Sequence, residues 1–260
     1  MARLTAPGFG TFVYIKQSPG AVAYDAASAF MRLSKQAAAI GQPFRTALSG
    51  GSTPKLLYRQ LTSDAFRGEI PWERIQFFFG DERWVPHDHP DSNYRLAEDE
   101  LFSKVPVNRD NILPVPTEGL GPEDAAAQYE QTIRRVFGTP QDQVPSFDLI
   151  FLGMGEDGHI ASLFPHTAAL HESHRLVVAH FVDKLNTYRI TLTPAVLNTA
   201  ANVILMVTGT GKAGALKHVL EGDYDPDTFP AQLLRNALGR VVWLVDKDAA
   251  SALEKHYPHT

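Results

Sequence analysis

The 260-residue chain contains no cysteine. This excludes disulfides, thiolate nucleophiles and cysteine-based metal sites. The sequence also lacks an apolar run of about 18 residues, the length that a membrane-spanning helix needs, so we expect no membrane contact. The first twenty residues lack the charged segment and apolar core of a secretory signal, which makes a cytoplasmic location the expected one.

Positive charge is also scarce, with 24 lysines and arginines against 29 aspartates and glutamates. Because nucleic-acid-binding proteins usually carry a basic surplus, no nucleic-acid partner is expected. An anionic small substrate is compatible with this charge, since a few local cations and backbone N–H groups suffice to bind it. A hydrophobic content of 44% is typical of a globular protein with a substantial core.

Apolar, strand-like segments alternate with helix-like segments along the chain. The predicted strands are residues 11–15, 44–48, 75–79, 147–152, 177–179, 188–192, 203–207 and 241–245, with a short extended segment at 112–115. Nearly continuous apolar strands are typical of a parallel sheet that is buried on both faces. The sequence therefore predicts a three-layer α/β/α fold with a mainly parallel, Rossmann-like sheet. No repeat or linker interrupts the pattern, and we expect residues 1–260 to form one domain.

The segment 147–165 is a buried strand that runs into a turn containing three glycines, Asp157 and His159. Open α/β sheets build their binding sites at the carboxyl ends of strands. Histidine, with an ordinary pKa of about 6.5, is the natural general base at neutral pH. We therefore take His159 as the candidate base, the alternative being a structural histidine held by a backbone carbonyl. Asp157 either orients His159 or only shapes the turn.

Residues 49–54, Ser-Gly-Gly-Ser-Thr-Pro, form a glycine turn between a strand and a helix. The glycines let the backbone approach a ligand, and the free N–H groups of a first helical turn favour an anion. We expect Thr53 to be the N-cap and Pro54 the first helical residue. The alternatives are a plain capped turn and a nucleophile elbow at Ser49, which lacks the first glycine of that motif.

Further charged residues follow other strands. Asp81 and Arg83 could bind a sugar hydroxyl and a phosphate, or form a solvated corner. Lys212 lies in the first turn of a predicted helix, where a cation is unfavourable unless an anion is bound; a solvent-facing lysine is the alternative. We expect residues 87–89, His-Asp-His, to be a solvated loop and predict no metal site.

Two glycine-rich segments, 153–158 and 209–214, match Gly-x-Gly-x-x-Gly. A dinucleotide site also needs an acidic residue about 20 positions later, at the end of the next strand, and neither segment has one. A Walker A loop is excluded because Met206 replaces its first glycine and Ala213 its Ser or Thr. No cofactor is expected.

Together these segments resemble the 6-phosphogluconolactonases, which share a superfamily with glucosamine-6-phosphate deaminases. The matching segments are 49–54, 80–83, 92–94, 153–165, 189–193 and 211–213, in the family's order. The resemblance implies a sugar-phosphate isomerase-like fold and hydrolysis of 6-phospho-D-glucono-1,5-lactone to 6-phosphogluconate in the oxidative pentose phosphate pathway. The deaminases usually continue Asp-Gly-His-Ile-Ala with Phe-Asn-Glu-Pro, whereas residues 162–165 are Ser-Leu-Phe-Pro here.

The resemblance also implies roles for individual residues. His159 would take a proton from water and return it to the ring oxygen. The phosphate would be held by Ser49, Gly50, Gly51, Ser52 and Thr53 together with Arg83 and Lys212. Asp81 and Asn93 would orient sugar hydroxyls, and Arg189 would bind the phosphate or an oxyanion. The expected partner is a phosphorylated sugar lactone, bound by a monomer or homodimer. A deaminase or isomerase, a non-catalytic sugar-phosphate sensor and a serine esterase remain as alternatives.

Overall fold

The computed structural model describes residues 10–257, and its centre is a sheet of six parallel strands. These are β1 (Thr11–Lys16), β2 (Phe44–Leu48), β3 (Ile75–Phe79), β5 (Leu149–Gly153), β8 (Asn202–Val207) and β9 (Arg240–Asp246), in the spatial order β1-β9-β8-β5-β2-β3. The middle strands are almost completely buried, as their apolar sequences require. The predicted parallel sheet is confirmed.

A second sheet of three antiparallel strands lies beside the first: β4 (Asp81–Arg83), β7 (Thr187–Leu192) and β6 (Val177–Val182), in the order β4-β7-β6. The chain passes between the sheets at Gly80, whose N–H donates to Leu48 and whose carbonyl accepts from the N–H of Leu192. Of the two alternatives for residues 81–83, the solvated corner is therefore excluded. Pairing with β7 buries this polar segment, and the side chain of Glu82 is only 1% exposed.

Six α-helices surround the sheets in the described part of the chain. They are α1 (Pro19–Ala39), α2 (Ser52–Leu61), α3 (Asn93–Glu100), α4 (Pro122–Phe137), α5 (Pro194–Thr199) and α6 (Ala213–Glu221). Phe30 of α1 stacks on Phe77 and Phe151 on one face of the large sheet, and Phe137 of α4 packs on Phe78 on the other. Helices thus cover both faces, as predicted. None of the helices between residues 10 and 257 is long and apolar enough to cross a membrane.

The predicted start of the helix after β2 is wrong. Helix α2 begins at Ser52 with Gly51 as its N-cap, so Thr53 does not cap it. After β9 the chain forms a short 3₁₀ turn, Ala249–Ala252, and the Asp246 carboxylate accepts from the backbone N–H groups of Ala249 and Gly209. The extended segment 112–115 contributes a single bridge, between Ile112 and Phe77.

The strand order reverses between β2 and β5. From β2 the chain continues outward to β3, whereas from β5 it continues to β8 and β9 on the other side. Such a switch leaves a crevice outside the carboxyl ends of the two neighbouring strands, and ligands of open α/β sheets bind there. Residues 49–53 follow β2 and residues 154–159 follow β5. The topology therefore brings the two most informative turns of the sequence to one place.

Candidate active site

A cavity of about 660 Å³ opens at this edge of the sheet. It is lined by Asp81, Arg83 and Arg189 of the small sheet, by Lys184 and Leu185 between β6 and β7, by Lys212, and by Gly155, Glu156, Asp157, His159, Ala161, Ser162 and Phe164 of the segment after β5. A wider cleft of about 860 Å³ lies between α1 and the strands β1, β9 and β8, with a mostly apolar lining that includes no histidine. Six residues to which the sequence assigns a role line the smaller cavity: Asp81, Arg83, Asp157, His159, Arg189 and Lys212.

The turn after β5 fixes the position of His159. The N–H of Gly155 donates to the His159 carbonyl over 2.9 Å, and the N–H of Gly158 donates to the Gly155 carbonyl over 3.1 Å. Gly158 has φ +76°, a conformation that favours glycine. At Gly155 a Cβ atom would lie 2.0 Å from His159 Nδ1, so only glycine leaves room for the imidazole. Two of the three glycines therefore have defined steric roles.

Asp157 and His159 form a hydrogen-bonded pair in this turn. His159 Nδ1 lies 2.5 Å from Asp157 Oδ1, which also accepts the backbone N–H of His159. Partial burial would raise the pKa of Asp157, but hydrogen bonds from His159 and from Lys184, which holds Oδ2, keep that pKa below its ordinary value. An ionised carboxylate only accepts hydrogen bonds, so Nδ1 carries the proton and Nε2 of neutral His159 has a free lone pair.

Phe164 and Lys184 complete the surroundings of this pair. The Phe164 ring lies against the His159 ring, with a centroid separation of 4.2 Å, and Lys184 Nζ is 4.6 Å from the Phe164 centroid. Lys184 belongs to none of the sequence motifs. It occupies a polar loop 27 residues beyond Asp157, and nothing in its local pattern distinguishes it from a solvated lysine.

Asp81 lines the cavity but Asn93 does not. The Asn93 side chain is buried, and its Nδ2 donates to the Asp81 carbonyl over 2.9 Å and to Asp81 Oδ1 over 3.2 Å. Ser162 Oγ donates to Asp81 Oδ2 over 2.6 Å. A Cβ at Gly50 would lie 1.7 Å from Asn93 Oδ1, so Gly50 makes room for Asn93. Three segments distant in sequence thus hold one carboxylate in place.

Glu82 is a further buried carboxylate, to which the sequence pattern assigned no role. It accepts backbone N–H groups from Arg83, Asn93 and Tyr94 at 2.7–2.9 Å and the Ser92 hydroxyl at 3.1 Å. Burial raises the pKa of Glu82 above its ordinary value, and the hydrogen bonds from the N–H groups of Asn93, Tyr94 and Arg83 offset only part of that rise. Glu82 therefore fixes α3, and with it Asn93, against β4.

Arg83 and Arg189 lie directly opposite each other on β4 and β7. Arg83 Nη1 donates to the Asp91 carbonyl, while its Nε is buried with no hydrogen-bond partner among residues 10–257. Burial and the nearby charge of Arg83 lower the pKa of Arg189. Like charges directly opposite in a strand pair are destabilising, and an anion held between them would reverse that effect. Both arginines line the cavity.

Residues 49–53 lie at the end of β2 and do not line the cavity itself. Ser49 is buried and its carbonyl accepts the Tyr58 hydroxyl over 2.6 Å; Gly51 has φ +104°. The hydroxyl of Thr53 lies 2.8 Å from that of Thr208, which joins this turn to the loop carrying Lys212. Lys212 does line the cavity, with Nζ 4.0 Å from Glu156 Oε1.

The structure groups no three His, Asp or Glu side chains as a metal site anywhere in residues 10–257. In the loop that follows β4, His87 Nε2 lies 2.8 Å from the Val115 carbonyl, and His89 Nδ1 accepts the N–H of Asp91. These two histidines thus contact the protein's own backbone.

Comparisons with known proteins identify the family of this chain. The family model described as glucosamine-6-phosphate isomerases/6-phosphogluconolactonase matches residues 17–243. A 6-phosphogluconolactonase of Synechocystis sp. is 41% identical over 85% of this chain and 89% of its own, and that of Homo sapiens is 40% identical over 82% and 83%. The solved 6-phosphogluconolactonase from Trypanosoma cruzi superposes with a TM-score of 0.83 at 31% identity, covering 95% of this chain and 98% of its own. The chain therefore belongs to the glucosamine-6-phosphate isomerase/6-phosphogluconolactonase family.

Proposed function

We propose that this chain hydrolyses 6-phospho-D-glucono-1,5-lactone to 6-phosphogluconate, the lactonase step of the oxidative pentose phosphate pathway, with His159 as the general base. The observation that carries the proposal is the Asp157–His159 pair at a cavity that also presents four cationic side chains. The names of the relatives supply the substrate. A cavity of this size suits a small sugar phosphate.

In the proposed reaction, His159 Nε2 takes a proton from a water molecule whose oxygen bonds to the lactone carbonyl carbon. The tetrahedral intermediate then collapses, the bond from that carbon to the ring oxygen breaks, and Nε2–H protonates the ring oxygen. His159 returns to its neutral form. Asp157 keeps the proton on Nδ1 throughout and stabilises the transient imidazolium. A positioned general base contributes about 10²–10⁴-fold to such a reaction.

Arg83, Arg189 and Lys212 are the proposed phosphate ligands, together with the N–H groups and hydroxyls of residues 49–53. The two arginines lie directly opposite each other on paired strands, and guanidinium groups bind phosphate through paired N–H bonds. The start of α2 carries no side-chain cap, so its N–H groups are suited to an anion. The Thr53–Thr208 contact keeps that turn beside the Lys212 loop.

Asp81 is the proposed acceptor for a sugar hydroxyl. Its carboxylate faces the cavity while Ser162 and Asn93 hold it from behind. Because Asn93 is buried and does not reach the cavity, we assign it to positioning Asp81 rather than to touching the sugar.

Phe164 argues against a deaminase or isomerase. It occupies the position at which the deaminase pattern carries glutamate, and its ring packs on His159. The phenyl ring of Phe164 has no transferable proton, so the acid that would assist opening of an amino-sugar ring is missing at that place. The cytoplasmic location and the monomeric or homodimeric state stay predictions.

The test is a coupled assay that measures 6-phosphogluconate formation from freshly made lactone, corrected for spontaneous hydrolysis. We expect saturable turnover of the phosphorylated lactone and much weaker turnover of glucono-1,5-lactone. Equal turnover of both lactones would refute the phosphate site. Ammonia release from glucosamine 6-phosphate would indicate the deaminase, and binding of 6-phosphogluconate without any lactone turnover would indicate a sensor.

A further inference from the structure

Lys184 reaches the candidate base from a separate element. It lies in the 3₁₀ turn Asp183–Leu185 between β6 and β7, a turn that ends at Asn186 in a left-handed conformation with φ +49°. From there its ammonium group contacts Oδ2 of Asp157, the oxygen that His159 does not use. The turn between β6 and β7 thus places a cation beside the Asp157 oxygen that does not contact His159.

Four side chains form a closed ring of contacts: His159 to Asp157, Asp157 to Lys184, Lys184 to the face of Phe164, and Phe164 to His159. We call them the base cluster. Lys184 is the member with the most exposed side chain, at 51%, whereas that of His159 is 28% exposed. An ordinary surface lysine gains little from a fixed position, since ordering its long chain costs entropy. The Lys184 ammonium group, in contrast, is held from two sides, by the Asp157 carboxylate and by the face of the Phe164 ring.

A carboxylate beside a histidine favours the imidazolium form, which cannot act as a base. A second cation on the same carboxylate opposes this effect. Building on the proposed function, we propose that Lys184 is a positioning residue that keeps His159 in its neutral, basic form at lower pH than the Asp157–His159 pair alone would allow. It also leaves Asp157 ionised, so that Nδ1 stays protonated and Nε2 stays free.

The other charged and titratable groups around the cavity come from five elements. They are Asp81 and Arg83 of β4, His180 of β6 behind Phe164, Arg189 of β7, Glu156 of the turn, and Lys212 at the start of α6. Glu156 lies near Lys212, and Asp81 is held by Ser162 and Asn93. Lys184 therefore differs from them in contacting the His159 partner directly.

The experiment compares Lys184→Met with Lys184→Arg, which keeps the charge, and with Lys35→Met as a matched control. Lys35 is an exposed lysine of α1 that pairs with Glu69 outside the cavity. Two readouts are measured: the ¹⁵N NMR titration of the His159 ring, assigned by its loss in His159→Gln, and the pH profile of kcat/KM for the lactone. The NMR readout needs no activity, so it separates failure of this inference from failure of the proposed function.

In Lys184→Met we expect the His159 titration midpoint and the acid limb of the profile to move up together by about 0.5–1 pH unit, from the loss of one nearby, partly solvated charge. Lys184→Arg should restore both, and in an Asp157→Asn background Lys184→Met should move both less, because Asp157 no longer holds the ammonium group beside His159. An unchanged midpoint would overturn the inference. So would a raised KM with an unchanged profile, because Lys184 would then contact the substrate instead of acting through Asp157.

Discussion

Gly155→Ala tests the candidate site with a single added methyl group. The new Cβ would lie 2.0 Å from His159 Nδ1, 2.2 Å from its Cε1 and 2.7 Å from Asp157 Oδ1. Ordinary contacts begin near 3.4 Å, so the imidazole must retreat by about 1.4 Å, the difference between these distances. Misplacement of a catalytic group by about 1 Å can cost roughly 10²-fold in rate. We therefore expect kcat to fall by about 10²-fold or more.

The phosphate-binding residues do not contact this methyl group, so KM should change little. Stability should change little as well, because replacing glycine removes backbone freedom from the unfolded chain and offsets part of the strain. The assay is initial-rate lactone hydrolysis at several substrate concentrations, with unfolding by urea as the check on folding.

Gly153→Ala is the matched control, two residues away. Its Cβ would meet nothing within 4 Å, and we expect near-wild-type kinetics. Near-wild-type kcat in Gly155→Ala as well would refute the claim that the position of His159 determines the rate. Equal losses in both variants would show that the turn, rather than the imidazole, is sensitive.

Three further predictions concern other parts of the molecule. Arg189→Met should raise KM for the phosphorylated lactone at least tenfold while turnover of glucono-1,5-lactone changes little; a loss confined to kcat would contradict the assignment to phosphate. Tyr58→Phe leaves the buried Ser49 carbonyl without its donor and should lower the free energy of unfolding by about 1–2 kcal/mol, as measured in urea, and no loss would argue against this bond. The hydrogen bond from Arg59 lowers the pKa of Glu100 to about 2. Ionised Glu100 therefore stabilises the folded state above the unfolded-state pKa of about 4.3, and this stabilisation is lost as the pH falls toward 2. Measured by urea unfolding, Glu100→Gln should lower the free energy of unfolding by at most about 1 kcal/mol at pH 7, and by progressively less below about pH 4.3. A cost that grows on acidification would contradict this sign.

The large sheet was predictable because its strands are continuous apolar runs, a pattern that neighbouring residues alone reveal. The predicted strand 147–152 is observed as Leu149–Gly153, followed by the glycine turn with His159. The convergence of residues 49–53 with that turn also follows from the rule that parallel strands present their carboxyl ends at one edge.

The small sheet was only partly predictable. β4 is three residues long and reads Asp-Glu-Arg, a composition that indicates exposure. Its burial arises from pairing with residues 189–191, more than a hundred positions away, and from the donors that saturate Glu82. No local pattern encodes such long-range pairing.

Lys184 and Asn93 illustrate the same limit within the site. Lys184 is a charged residue of a short loop, and only the course of β6 and β7 brings it to Asp157. Asn93 was expected to touch the sugar, whereas the structure buries it behind Asp81. Sequence motifs thus identify residues that belong to a site, but they do not show which of them face the ligand.

Turnover of freshly made 6-phospho-D-glucono-1,5-lactone by His159→Ala, corrected for spontaneous hydrolysis, decides whether His159 is the general base. The matched control is His171→Ala, because His171 also lies 3.0 Å from a carboxylate, that of Asp227, but outside the cavity. If His159 is the general base, kcat should fall by about 10²–10⁴-fold in His159→Ala, with no comparable change in His171→Ala. Near-wild-type turnover by a folded His159→Ala variant would contradict the assignment of His159 as the general base.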